Sequence, residues 1–147
     1  MQVYYCKYET SKHVSKKPYQ RMLTDVYWFC VDGQGFMVEA GFWWDGSSQP
    51  KFLWSMVGSP FTGKYYFGTL IHDILYATHY FSRDKADEIM YIVLRMEGVG
   101  YIKANAMYQG VRAGGWVGWD KTPKQIAGAA KHLFVRGMRY SPIVPLV

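Results

Sequence analysis

Residues 24–40 read TDVYWFCV, DGQG, FMVEA: Thr24 to Val31 is rich in β-branched and aromatic residues, Asp32-Gly33-Gln34-Gly35 supplies turn chemistry, and Phe36 to Ala40 resumes an apolar strand pattern. Two such runs around a glycine-bearing turn predict a β-hairpin. The next stretch, Gly41 to Pro50 (GFWWDGSSQP), reads as loop, because Gly46, Ser47, Ser48 and Pro50 all oppose regular structure. Beyond it the apolar period becomes helical. Tyr65 to His79 predicts a first helix, preceded by Gly58, Pro60 and Gly63. Ser82 is the expected N-cap of a second, with Asp84 in its first turn, a core stripe of Ala86, Ile89, Met90, Val93 and Leu94, and an end at Gly98. Tyr101, Ala104, Tyr108 and Val111 mark a third helix stopped by Gly114-Gly115, and the short His79–Ser82 connection predicts that the first two helices are antiparallel neighbours. Strands followed by helices predict an α+β fold: an N-terminal β-hairpin or small antiparallel sheet packed on a three-helix unit.

Both ends of this core are basic. Residues 1–21 carry Lys7, Lys12, Lys16, Lys17 and Arg21 against Glu9, and residues 118–147 carry Lys121, Lys124, Lys131, Arg136 and Arg139 against Asp120. The intervening chain holds seven Lys/Arg against nine Asp/Glu, so the net charge of +6 lies at the periphery. A basic periphery suits nucleic acid, anionic lipid or an acidic protein, or serves only solubility. No helix-turn-helix, zinc or RNA-binding signature accompanies it, so nucleic acid is not the expected partner. Pro123 to Arg136 (PKQIAGAAKHLFVR) predicts a short basic amphipathic helix, and SPIVPLV, with Pro142 and Pro145, an extended tail.

A chain of 147 residues, half of them apolar, predicts a single domain over residues 1–147, with a core at about 20–118, a basic arm at 1–19 and a C-terminal segment and tail at 119–147. At that length it needs no disulfide or structural metal to fold, and its composition excludes intrinsic disorder. An aromatic content of 18% suggests that some rings serve a surface as well as the core. Cys6 and Cys30, with no CxxC spacing, are expected as buried thiols. MQVYYCKYETSKHVSKK has no apolar h-region, and no apolar run is long enough to span a bilayer, so neither a signal peptide nor a transmembrane segment is expected.

Three features place polar residues in apolar surroundings. Asp45, Ser47 and Ser48 follow Trp43 and Trp44; His72-Asp73 with Tyr76 lie in the first helix; Arg83 and Asp87 open the second. His72 and Tyr76, four apart, share a helix face, whereas Asp73 is turned about 100° from His72. If the helices are antiparallel, Asp87 reaches His72. A His oriented by a carboxylate is the minimal apparatus of a general base, and Asp73 and Asp45 would suit a hard divalent cation such as calcium. Each feature has a plain structural alternative. His72 can be a hydrogen-bonded core histidine, Arg83–Asp87 a packing ion pair, and Asp45 and Ser48 a loop-donor pair; Trp43, Trp44, Trp116 and Trp119 can be core and rim. His79 and His132 receive no role.

GFWWDGSSQPKFLW (Gly41–Trp54), GSP (Gly58–Pro60), LIHDILY (Leu70–Tyr76), SRDKAD (Ser82–Asp87) and MYQGVR (Met107–Arg112) together resemble a family of small bacteriophage and prophage proteins of unknown function, over roughly residues 24–118. That resemblance implies a phage origin, in the virion or the host cytoplasm. HDxxY in one helix with an Asp in the next is similar, at motif level, to the secreted and parvovirus capsid phospholipases. It implies His72 as base, Asp73 as calcium ligand, Asp87 as orienter and Tyr76 as support, although the Gly-rich calcium loop and bracing cysteines of those enzymes are missing. Two functions follow as expectations. One is a virion- or tail-associated hydrolase acting on a host-envelope component, lipid ester or cell wall, with Asp45, Ser48, Trp44 and Arg83 about the substrate. The other is a non-enzymatic tail or head-tail component docking on other phage virion proteins through its arms.

Overall fold

A computed structural model describes residues 1–8, 11–14, 17–44 and 63–142. Its strands are β1 (Val3–Tyr5), β2 (Ser11–Val14), β3 (Lys17–Leu23), β4 (Tyr27–Val31), β5 (Gln34–Val38), β6 (Trp43–Trp44), β7 (Leu133–Val135) and β8 (Met138–Arg139). Its helices are α1 (Tyr66–Thr78), α2 (Arg83–Met96), α3 (Tyr101–Gly114), α4 (Trp116–Trp119) and α5 (Pro123–Ala130). The class is α+β, with the N-terminal strands preceding the helical run. The chain divides into two compact units, one of residues 1–45 and 121–147, the other of residues 46–120.

The first unit is built on the expected hairpin. Residues of β4 alternate between burial and exposure, placing Tyr27, Phe29 and Val31 inside. On β5 Phe36 and Val38 do the same, and Phe29 stacks on Phe36 with ring centroids 4.8 Å apart. The turn is tighter than the DGQG string suggests. Asp32 (φ 49°) and Gly33 (φ 81°) alone form it, the mirror-type two-residue turn whose twist matches the strands, so Gln34 and Gly35 already belong to β5. The hairpin lies inside a five-stranded antiparallel sheet ordered β1-β4-β5-β7-β8; β2, β3 and β6 make a separate three-stranded sheet.

Two expectations about the chain ends change here. The helix expected over Pro123–Arg136 stops at Ala130, because Leu133–Val135 pairs with β5 and turns back through Arg136 (φ 51°) and Gly137 (φ 81°) into β8. The short α5 is nonetheless well started, by a capping box between Thr122 and Gln125. At the other end Val3–Tyr5, expected within a peripheral arm, pairs with β4. Cys6 and Cys30, expected as buried, are free and half-buried. Of the expected extended tail SPIVPLV, residues 143–147 lie outside the described residues.

In the second unit α1 follows a single 3-10 turn, Gly63–Tyr65, and is buried at every position except Ala77. A helix apolar on all sides is a central helix. Its close neighbour is α2, where Gly68 meets Leu94: a Cβ at Gly68 would lie 2.9 Å from Leu94 Cδ2. The Ser82 hydroxyl caps α2 as expected, accepting from the Lys85 amide. α2 also packs on α3, in a buried cluster of Met90, Leu94, Val99, Ala104, Met107 and Val111. Among the described residues no helix is long and apolar enough to cross a membrane.

Candidate functional site

The polar residues of this helical unit converge on one carboxylate. α1 presents His72 and Tyr76 from successive turns, and both reach Asp87 on the first turns of α2: His72 Nε2 lies 2.7 Å, and the Tyr76 hydroxyl 2.6 Å, from the same oxygen, Oδ1. The rings of His72 and Tyr76 lie 4.1 Å apart at 38°. The second oxygen, Oδ2, accepts from Arg112 Nη1 at 2.6 Å. Arg83, one turn before Asp87, approaches Oδ2 only to 3.9 Å and donates instead to the Val111 carbonyl at 3.0 Å and to that of Arg112. It therefore adds a donor to carbonyls at the end of α3, that of Val111 also accepting from the Gly115 amide, where a cation meets the negative helix terminus.

The electrostatics follow from burial and from these donors. Both Asp87 and His72 are fully buried. Burial alone would raise the Asp87 carboxyl, but hydrogen bonds from His72, Tyr76 and Arg112 outweigh it and hold the group below its ordinary value. Burial lowers His72 below 6.5 despite Asp87, and the Arg83 charge acts in the same direction. Burial and the bond to Asp87 raise the Tyr76 phenol, keeping it a donor. An ionised Asp87 has no proton to give, so His72 Nε2 carries the hydrogen and the neutral ring keeps its lone pair on Nδ1.

These directions fix a pH dependence. Between 6.5 and the lower folded value of His72 the unfolded chain binds more protons, so His72's contribution is complete above 6.5 and lost as pH falls through that interval. Asp87, held below 3.8, adds a second loss beneath 3.8. The melting temperature is expected to fall between about pH 7 and about pH 5, and His72→Gln to make that fall shallower. Thermal melting in a pH series checks this; equal slopes for the two proteins would contradict it.

Of the expected site residues, the structure brings His72, Tyr76, Asp87 and, at the margin, Arg83 together. Asp73 sits on α1 beside His72, 7% exposed. Trp44 is a buried strand residue of the sheet unit, paired with Arg21 in β3. Asp45, Ser47 and Ser48 lie outside the described residues. Among the described residues no group of three His, Cys, Asp or Glu side chains could hold a metal ion. A calcium donor set is therefore not assembled from the described residues, and Asp45, the second expected ligand, lies outside them.

Sequence reasoning missed Arg112, Gly115 and Trp119. Arg112 bridges Asp84 and Asp87 of α2, Nη2 lying 2.7 Å from Asp84. A signal was present: Asp84 and Asp87, three apart, share a helix face, and Arg83 alone cannot serve both, which calls for a second cation. Gly115 lets α3 turn against Tyr76, since a Cβ there would stand 2.7 Å from the Tyr76 hydroxyl and 2.4 Å from the Val111 carbonyl oxygen. Trp119 packs edge-on against Tyr76 and stacks on His79, 3.7 Å between centroids, while its carbonyl lies 2.8 Å from His79 Nε2. His79, given no role from sequence, thus ties α4 to the end of α1.

Residues 21–111 match a family described as "Protein of unknown function (DUF1353)". A curated relative, "Uncharacterized protein y4jT" of Sinorhizobium fredii (strain NBRC 101917 / NGR234), is 32% identical over 95 residues, which is 65% of this chain and 28% of the relative. The chain thus spans little more than a quarter of that relative's length. No solved structure matches the chain.

Proposed function

The chain belongs to the DUF1353 family of proteins of unknown function, and we propose that it is a phage-encoded, virion- or tail-associated hydrolase whose general base is His72. The observation that carries the reading is the buried contact between His72 Nε2 and Asp87 Oδ1 at 2.7 Å. It sets the imidazole against a carboxylate that orients the ring and can stabilise an imidazolium, the pairing a general base needs. In the step proposed, the His72 imidazole takes a proton from water, the hydroxide adds to an ester carbonyl, the carbon–alkoxide bond breaks, and the imidazolium returns the proton to the leaving oxygen. Asp87 stabilises the imidazolium, while Tyr76 and Arg112 hold Asp87. Substrates of the host envelope, a lipid ester or cell-wall material, fit the motif resemblance of His72, Asp73, Tyr76 and Asp87 to phospholipases, and other virion proteins are the proposed partners.

Full burial of His72 favours a second reading, in which the same network is a polar core of a non-enzymatic virion protein. His72→Gln separates the two. Its amide still donates to Asp87 but cannot act as base. The hydrolase reading predicts that turnover of a panel of p-nitrophenyl acyl esters and phosphatidylglycerol vesicles falls by about a hundredfold or more in this variant, with near-ultraviolet circular dichroism retained. No turnover by the parent chain, or equal turnover by the variant, would overturn it and leave the polar-core reading.

A further inference from the structure

The outward face of the five-stranded sheet takes no part in the network above. Strand register sets one row across it as Cys6, Trp28, Met37, Phe134 and Arg139. A second row runs Tyr4, Cys30 and Gly35, with Arg136 at its end, its amide donating to the Gly35 carbonyl. Tyr4 is 58% exposed, Trp28 50% and Met37 47%, whereas the opposite side chains of the same strands form the core. Phe134 is half-buried beneath the Arg139 guanidinium, 5.0 Å from its ring centroid. A Cβ at Gly35 would meet nothing within 4 Å, so the floor between the rows is open.

Charge is concentrated in the same unit. Residues 1–45 and 121–147 hold ten Lys/Arg against five Asp/Glu, while residues 46–120 hold seven against six. Flat aromatic rings on a sheet, with arginines at one end of each row, suit bases that stack and phosphates that pair. We propose that this sheet face binds single-stranded nucleic acid, with bases stacked on Trp28 and Tyr4 and phosphates held by Arg136 and Arg139. Arg139 Nη1 donates to the Lys131 carbonyl at 2.6 Å, which steadies the guanidinium, while Nη2 lies 3.6 Å from the half-exposed Glu39, a contact that a phosphate can replace. A neutral glycan would need directional polar side chains, which Met37, Phe134, Cys30 and Gly35 do not offer. A second copy would bring two units of like charge together. The inference is independent of the hydrolase reading. No linear signature announces the face, because its residues come from five strands in two distant stretches of the chain.

The test is fluorescence anisotropy of the full chain with a fluorescein-labelled oligo-dT of about 12 nucleotides, from about 50 to about 200 mM salt. Binding that weakens steeply with salt is expected, with affinity about tenfold lower in Trp28→Ala. Gly35→Glu, which sets a carboxylate on the open floor at an ordinary backbone conformation, is expected to abolish binding while thermal melting stays unchanged. Absence of binding at the lowest salt would overturn the proposal. So would binding indifferent to Trp28→Ala, equal affinity for a duplex of the same length, or association only with phosphatidylglycerol vesicles. Should Gly35→Glu disturb folding, Trp28→Ala, altering a surface ring, still decides.

Discussion

Asp87→Ala is expected to destabilise the protein by about 3–5 kcal/mol, the range for removing one partner of a buried charged network. The loss is large because three donors lose their acceptor together. His72 and Tyr76 are left buried without Oδ1, and Arg112 keeps only the exposed Asp84. Hydrogen-bonded polar groups stripped of partners carry their full desolvation cost. Urea unfolding followed by fluorescence measures the change. A shift below about 1 kcal/mol would mean that Asp87 does not organise the site.

Gly115→Ala is expected to cost about 1–3 kcal/mol, the range for overpacking a filled interior. The added Cβ meets a backbone oxygen, Val111 O at 2.4 Å, and the Tyr76 hydroxyl at 2.7 Å, so neither neighbour is a flexible tip that can swing away. Relief requires moving Tyr76 off Asp87 or displacing the end of α3, which carries Arg112. The substitution is thus expected to loosen the site from a residue that places no side chain in it. Urea unfolding gives the stability. The intensity of Trp119, which packs on Tyr76, reports the local shift. Parent-like stability and fluorescence would show that Gly115 is not the constraint.

The two substitutions act on one structural idea. α1 is a central helix with no polar solvent face, so any polar group on it must find its partners inside the protein. His72 and Tyr76 do so through one oxygen of Asp87, and the other oxygen is left to Arg112. Two arginines and two aspartates then balance near one another, Arg83 serving mainly the carbonyls at the end of α3. The aromatic wall of Tyr76, Trp119 and His79 closes the arrangement at the α1 terminus.

How much of this is legible in the sequence depends on whether the governing interactions are local. The hairpin at 24–40, the Ser82 cap and the stripe Ala86 to Leu94 are periodic or capping signals, and the described elements agree with them. His72 with Asp87 is legible because both positions and the short antiparallel connection are local geometry. Leu133–Val135 is not, since three apolar residues after a good helix show no period and become a strand only by pairing with a hairpin about a hundred residues earlier. β1 is hidden in the same way, its three residues being ordered by β4. Arg112, within MYQGVR, shows no role in its own helix, because its acceptors Asp84 and Asp87 lie on another. Gly115 reads as a helix stop and in fact is also a site of close approach.

The central claim is that Asp87 is ionised and holds a neutral His72 with its hydrogen on Nε2. The direct measurement is the pair of ring nitrogen resonances of His72 in nitrogen-15 labelled protein, assigned with His72→Gln and followed from about pH 8 to about pH 5. A protonated Nε2 with an unprotonated Nδ1, persisting below 6.5, is the predicted result. An imidazolium at neutral pH, or a hydrogen on Nδ1 with Nε2 bare, would contradict it.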